Sequence, residues 1–254
     1  MIDTNVKMNN KMGIIIALDG MKKKDAIELA KKLSSASQIV CFKANDLLDD
    51  EGGKIIEELS QYGLVMADPK YHDIPNTVGN RVKKISSYHP MFITVHASGG
   101  IEMMRAAVEN TSEITVAIKS KILAVTVLTS LDEEECNLNL GGPVKAKVLQ
   151  FARNAILSGV EGIVCSANEL AFLSKFPELK WLIKVTPGIR PKWHIDPSDD
   201  QARIVTPADA VKLGADFIVI GRPIVRAKDP LKALEDTISE IEEAERELAE
   251  KRRG

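Results

Sequence analysis

The sequence predicts a single (β/α)8 barrel, an α/β TIM barrel. Three observations carry that prediction. Eight short apolar, β-rich runs recur along the chain. The stretches between them have the period of amphipathic helices. The chain has 254 residues, and one such barrel needs about 250.

The runs are residues 14–19, 38–43, 63–68, 91–96, 122–127, 162–166, 181–186 and 216–221. Helical candidates between them are 24–33, 53–61, 76–87, 100–109, 144–158 and 207–213. Continuous apolar strands alternating with amphipathic helices mean a parallel sheet covered by helices. Eight such units favour closure into a barrel over an open sheet. No G-x-G-x-x-G follows the first strand, which removes the usual dinucleotide-binding alternative. Residues 231–254 read as a long solvated outer helix, with Leu234, Ile238, Ile241 and Leu248 as its apolar stripe. Glu242–Arg246 and Glu247–Lys251 are spaced for i,i+4 ion pairs along it. The expected organisation is a polar arm over 1–11 and one barrel domain over 12–254.

Composition narrows the function. Hydrophobic residues are 44% and charged residues 28%, the balance of a globular protein with a sizeable core. Net charge is −2, from 34 basic and 36 acidic residues, so no basic excess calls for nucleic acid or an anionic membrane. The arm lacks the apolar core of a signal peptide, and the longest apolar runs are strand-sized. The three cysteines, Cys41, Cys136 and Cys165, form no C-x-x-C pair, which argues against a disulfide framework or structural zinc. A cytoplasmic location is expected.

Polar residues gather where the strands end, the face that carries active sites in this fold. The first three runs end in Asp19, Lys43 and Asp68, and the fourth in His96. Burying such charges is costly unless they pair with each other or with a ligand. Asp68 and Lys70 are two residues apart, so strand periodicity points both to one side. On spacing alone, however, D-x-K-x-x-D is simply a capped strand-to-helix turn, with Asp73 or Asn76 as N-cap and Pro75 as punctuation. Thr186-Pro187-Gly188-Ile189-Arg190-Pro191 follows the seventh run, and Gly221-Arg222-Pro223-Ile224 closes the eighth. Loops at those two places form the recurrent phosphate site of such barrels, and the arginine fork fits a phosphate. Together they point to an anionic phosphate ligand.

These residues resemble the orotidine 5'-phosphate decarboxylase family, in its short-looped bacterial form. The resemblance runs from Ile15-Ile16-Ala17-Leu18-Asp19 to Gly221-Arg222-Pro223-Ile224. Its motifs are Asp68-x-Lys70-x-x-Asp73-Ile74-Pro75-Asn76-Thr77, Val95-His96-Ala97-Ser98-Gly99-Gly100 and Val125-Thr126-Val127-Leu128-Thr129-Ser130. Further on come Val164-Cys165-Ser166-Ala167-x-Glu169, Pro187-Gly188-Ile189-Arg190-Pro191 and Asp200-Gln201-x-Arg203-Ile204-Val205-Thr206-Pro207.

The resemblance implies roles. Asp19 and Lys43 hold the ribose hydroxyls and the charged network. Asp68, Lys70 and Asp73 match the catalytic carboxylate–lysine array, with Asp73 and Thr77 contributed across the interface of a homodimer. Thr129 and Ser130 contact the pyrimidine edge. Arg190, Gln201, Gly221 and Arg222 match the phosphate clamp, with Gln201 bridging phosphate and base. One departure is Pro69, where the family usually carries an apolar residue with a backbone N–H; it removes a donor between the two key side chains.

The implied reaction converts orotidine 5'-phosphate to uridine 5'-phosphate and carbon dioxide without a cofactor. Loss of carbon dioxide from C6 leaves an electron pair in the ring plane, outside the π system. Decarboxylases usually borrow an electron sink from a cofactor. Here a lysine ammonium beside C6 can stabilise the carbanion and supply its proton. Lys70 is the candidate, and no metal is expected. Asp68 either repels the substrate carboxylate or orients Lys70. Residues 191–203 read either as a lid over the phosphate or as a surface connection. Two alternatives share the barrel. A 3-keto-gulonate-6-phosphate decarboxylase would use magnesium and a carboxylate at the second strand end, where this chain has Lys43. A non-catalytic phosphate sensor would need the clamp but not Lys70.

Overall fold

The computed structural model describes residues 11–36, 40–111, 119–194 and 205–251. Eight strands are formed: β1 (Gly13–Ala17), β2 (Val40–Ala44), β3 (Leu64–Tyr71), β4 (Phe92–His96), β5 (Lys121–Val125), β6 (Gly162–Val164), β7 (Ile183–Thr186) and β8 (Phe217–Ile220). They pair in parallel in chain order, and β8 pairs back onto β1, closing the barrel.

Strand periodicity divides the apolar side chains into two layers. Ile14, Ile16 and Leu18 face outward into a continuous core shared with the helices. Ile15 and Ala17 face inward, where they pack with Cys41, Met66, Phe92 and Leu123. Phe92 and Phe217 meet edge to face at 5.3 Å inside the barrel. A β-carbon at Gly13 would fall 2.4 Å from the Phe217 ring, so glycine there makes room for that ring. All three cysteines are buried free thiols.

The predicted helices form over Lys23–Leu33, Lys54–Ser60, Pro75–Ser86, Ile101–Glu109, Val144–Ser158 and Pro207–Leu213. Four further helices among the described residues, Asp46–Glu51, Glu133–Leu140, Ala167–Leu173 and Arg222–Val225, were not legible from periodicity. In Glu133–Leu140 only Cys136 is buried, so the helix has no apolar stripe. Two of the four carried another signal. Asp132 with Glu135, and Ser166 with Glu169, form capping boxes whose three-residue spacing stands in the sequence.

The last helix is Pro230–Lys251, with Leu234, Ile238 and Ile241 buried. Glu247 pairs with Lys212 at 3.0 Å, which ties this helix to its neighbour, and the charge of Lys251 one turn on also favours its carboxylate. The expected turn around Asp73 is also built differently. The Pro75–Ser86 helix has Ile74 at its N-cap with no side-chain cap, and Pro75 takes the first helical position. Of the polar arm, residues 1–10 lie outside the described residues.

Candidate active site

The charged residues converge at the C-terminal mouth of the barrel. Lys43, on β2, donates to both carboxylate oxygens of Asp19, at 2.6 and 2.8 Å. Its ammonium also lies 3.0 Å from Asp68 Oδ2. Lys70 donates to the same Oδ2 at 2.8 Å. Asp19, Lys43, Asp68 and Lys70 therefore form an alternating chain of two carboxylates and two ammoniums.

Burial and pairing act against each other along this chain. Burial alone would lower the Lys43 pKa, but the charges of Asp68 and then Asp19 outweigh it and hold it above its ordinary value. Burial alone would raise that of Asp68. The charges of Lys43 and Lys70, with hydrogen bonds from Lys70 and Thr94, hold it below the usual carboxylate range. Both buried groups thus stay ionised through their partners.

The segment carrying Asp68 and Lys70 leaves the regular ladder. On β3 and β4, Met66 pairs with Phe92 and Ala67 with Ile93, but the next pair is Tyr71 with Val95. Three residues, Asp68, Pro69 and Lys70, stand opposite the single residue Thr94, a bulge of the kind that re-aims side chains. Lys70 has φ +46°, in the left-handed region that residues with a β-carbon rarely occupy. Its N–H donates to Thr94 Oγ1 at 2.9 Å, and the Thr94 hydroxyl donates to Asp68 Oδ1 at 2.8 Å. Asn45 Nδ2 donates to the Asp68 carbonyl at 2.6 Å. Pro69, between these two anchored residues, has no N–H that needs a partner in the bulge.

Sequence reading singled out neither Thr94 nor Asn45. Threonine is an ordinary strand residue. The available signal was position, because Thr94 shares the inward side with Phe92, two residues before it, and is a fully buried polar residue.

One cavity of about 510 Å³ occupies the mouth. Asp19, Lys43, Asp68 and Lys70 line it from β1 to β3, and Thr129, Arg190, Gly221 and Arg222 line it from the later loops. In the closed ring β7 stands four strands from β3, so Arg190 lies across the mouth from Lys70. Gly188 has φ +80°, as the third position of a type II turn requires. This turn leads to Arg190, whose N–H donates to the Val205 carbonyl at 3.0 Å. Val125, Val164 and Cys165 add apolar wall. Burial pushes the Cys165 thiol well above its ordinary pKa, so it is a neutral wall group.

The remaining expected site residues that are described lie elsewhere. Asp73 is exposed, accepts from the Ile74 N–H at 2.8 Å and sits 3.9 Å from Arg81. Asp73, Thr77 and Ser130 do not line the cavity. His96 does not line it either; its ring is 5.6 Å from His72. Burial, then the charges of His72 and Lys70, lower the His96 pKa against the pull of Asp68. Gln201, and residues 195–203 of the suggested lid, lie outside the described residues. Among the described residues, no group of three His, Cys, Asp or Glu side chains is arranged to hold a metal ion.

Residues 12–237 match the Orotidine 5'-phosphate decarboxylase / HUMPS family. The orotidine 5'-phosphate decarboxylase of Dichelobacter nodosus is 40% identical over 221 residues, covering 86% of this chain and 93% of that protein. The Syntrophomonas wolfei protein of the same name is 40% identical over 224 residues, covering 84% and 91%. Among solved structures, orotidine 5'-phosphate decarboxylase from Lactobacillus acidophilus superposes with a TM-score of 0.74 at 33% identity. That match covers 91% of this chain and 99% of the other.

Proposed function

Because this chain belongs to the Orotidine 5'-phosphate decarboxylase / HUMPS family, we propose that it converts orotidine 5'-phosphate to uridine 5'-phosphate and carbon dioxide, the last step of de novo UMP synthesis. The observation that carries this reading is the Lys70–Asp68 contact of 2.8 Å, in a cavity that also holds Arg190 and Arg222. The arginines take the phosphate and Thr129 the pyrimidine edge, which brings C6 to Lys70; Ser130, expected beside Thr129, stands outside the cavity. Asp19 and Lys43 hold the ribose hydroxyls.

As the bond from C6 to the carboxylate breaks, its electron pair stays on C6 and carbon dioxide leaves. The Lys70 ammonium stabilises that pair and then donates a proton to it; the resulting amine regains a proton from water. Asp68 serves this step through the substrate carboxylate, through the orientation of Lys70, or through both. Lys43 at the end of β2, between Asp19 and Asp68, favours the nucleotide reaction over the magnesium-dependent keto-sugar one, which calls for a carboxylate there.

The test is turnover by protein exhaustively dialysed against a chelator. Substrate absorbance should fall, uridine 5'-phosphate should form, and the rate should match that of undialysed protein. A requirement for added magnesium would move the assignment to the keto-sugar branch.

The reading extends to assembly. Asp73 is exposed beyond the strand end, as a residue that reaches into a second copy's site must be. In the homodimer Asp73 and Thr77 complete the partner's site, and the enzyme works in the cytoplasm. No helix among the described residues is long and apolar enough to cross a membrane. Mixing inactive Lys70→Ala with inactive Asp73→Ala should restore part of the activity, because each mixed dimer holds one intact site. Absence of recovery, with subunit exchange demonstrated, would mean that each site is built from one chain.

A further inference from the structure

We propose that Thr94 is the positioning residue that aims Lys70 at the reacting carbon, an inference that rests on the decarboxylase reading above. The bulge sets Asp68, Pro69 and Lys70 against this one residue of β4, so the regular ladder cannot hold the catalytic segment. The Thr94 hydroxyl replaces it, and uses both of its hydrogen-bonding capacities to do so. As acceptor it takes the Lys70 N–H at 2.9 Å, at a residue whose left-handed φ needs support from its surroundings. As donor it takes Asp68 Oδ1 at 2.8 Å, which turns Oδ2 toward Lys43 and Lys70. One buried hydroxyl thus sets both the backbone from which the ammonium projects and the carboxylate that receives it.

Thr94 is fully buried and does not line the cavity, so it does not contact the substrate. Its removal should therefore act on the chemical step and spare nucleotide binding. Asn45 continues to hold the Asp68 carbonyl, a second anchor that keeps the segment attached to the barrel.

The experiment compares Thr94→Val, close in shape but without the hydroxyl, with Thr94→Ser, which retains it. In Thr94→Val, kcat should fall by about 10- to 100-fold, the range expected for losing hydrogen bonds that involve a charged group. Affinity for uridine 5'-phosphate should stay within about threefold, since that ligand makes no demand on the ammonium's aim. Thr94→Ser should recover kcat to within about threefold of the unaltered enzyme. Three results each overturn the proposal: an unchanged kcat in Thr94→Val, a parallel loss of kcat and product affinity, or a serine variant as impaired as the valine one. If Thr94→Val does not fold, Thr94→Cys, with a weaker donor and acceptor of similar size, is read by the same split.

A crystal structure of the variant keeps this proposal distinguishable from the decarboxylase reading. The Lys70 ammonium should leave Asp68 whether or not the unaltered protein turns over orotidine 5'-phosphate. An undisturbed contact at 2.8 Å would remove Thr94 from the role.

Discussion

Lys70→Ala should lower kcat/KM on orotidine 5'-phosphate by at least about 10⁴-fold while leaving the barrel folded. General acid catalysis contributes about 10²–10⁴, and a preorganised charge facing developing negative charge about 10²–10³. In the proposed mechanism one ammonium does both. The fold should survive because Asp68 keeps Lys43 at 3.0 Å and Thr94 at 2.8 Å, so no buried carboxylate is left unpaired. Lys70 itself is about a third exposed, at 32% of its side chain, and its loss opens no core cavity. Rates, thermal melting and product binding, measured together, check this. Residual activity within about 100-fold of the unaltered enzyme would assign the proton to another group.

Arg222→Ala should lower kcat/KM by about 10²–10⁴ through a phosphate remote from the bond that breaks. Gly221 and Arg222 follow the end of β8 and line the same cavity as Lys70. Two charge-assisted hydrogen bonds to the phosphate, at about 1.5–3 kcal/mol each, would amount to about 3–6 kcal/mol if additive. Binding energy of this kind is used to position the reacting ring. A substrate truncated before the phosphate offers Arg222 nothing to hold, so its slower reaction should barely change. Equal damage to both substrates would show that Arg222 supports the fold or the base instead.

The barrel was legible because closure needs only a repeated pattern of apolar runs and amphipathic helices, and all eight strands follow it. Element ends were less legible where local geometry overrides pattern. β3 was expected to stop at Asp68, yet it continues through the bulge to Tyr71. β7 was expected from Trp181, but that tryptophan is 72% exposed and the strand starts at Ile183. Asp19 was read as the last residue of its strand, although β1 ends at Ala17 and Asp19 reaches the site from the loop.

The charged core of the site was visible for an energetic reason. Successive charges closing apolar runs are costly unless they meet, and Asp19, Lys43 and Asp68 do meet. The uncharged supports were not visible. Thr94 looks like any strand threonine, and Asn45 like any turn residue, until the register shows that each answers a backbone group the ladder has abandoned. Pro69, read as a lost donor, falls between those two bonds and interrupts neither.

That arrangement bears on how portable the proposed catalytic motif is. Asp68-Pro69-Lys70 is a contiguous tripeptide and invites grafting onto another barrel strand. Grafted alone, it would arrive without the Asn45 amide from beyond β2 and the Thr94 hydroxyl from β4. A lysine at φ +46° would then relax toward ordinary extended backbone and swing its ammonium off target. The smallest transplantable unit is a patch across three neighbouring strands, and its inheritance is a matter of barrel order as much as of sequence.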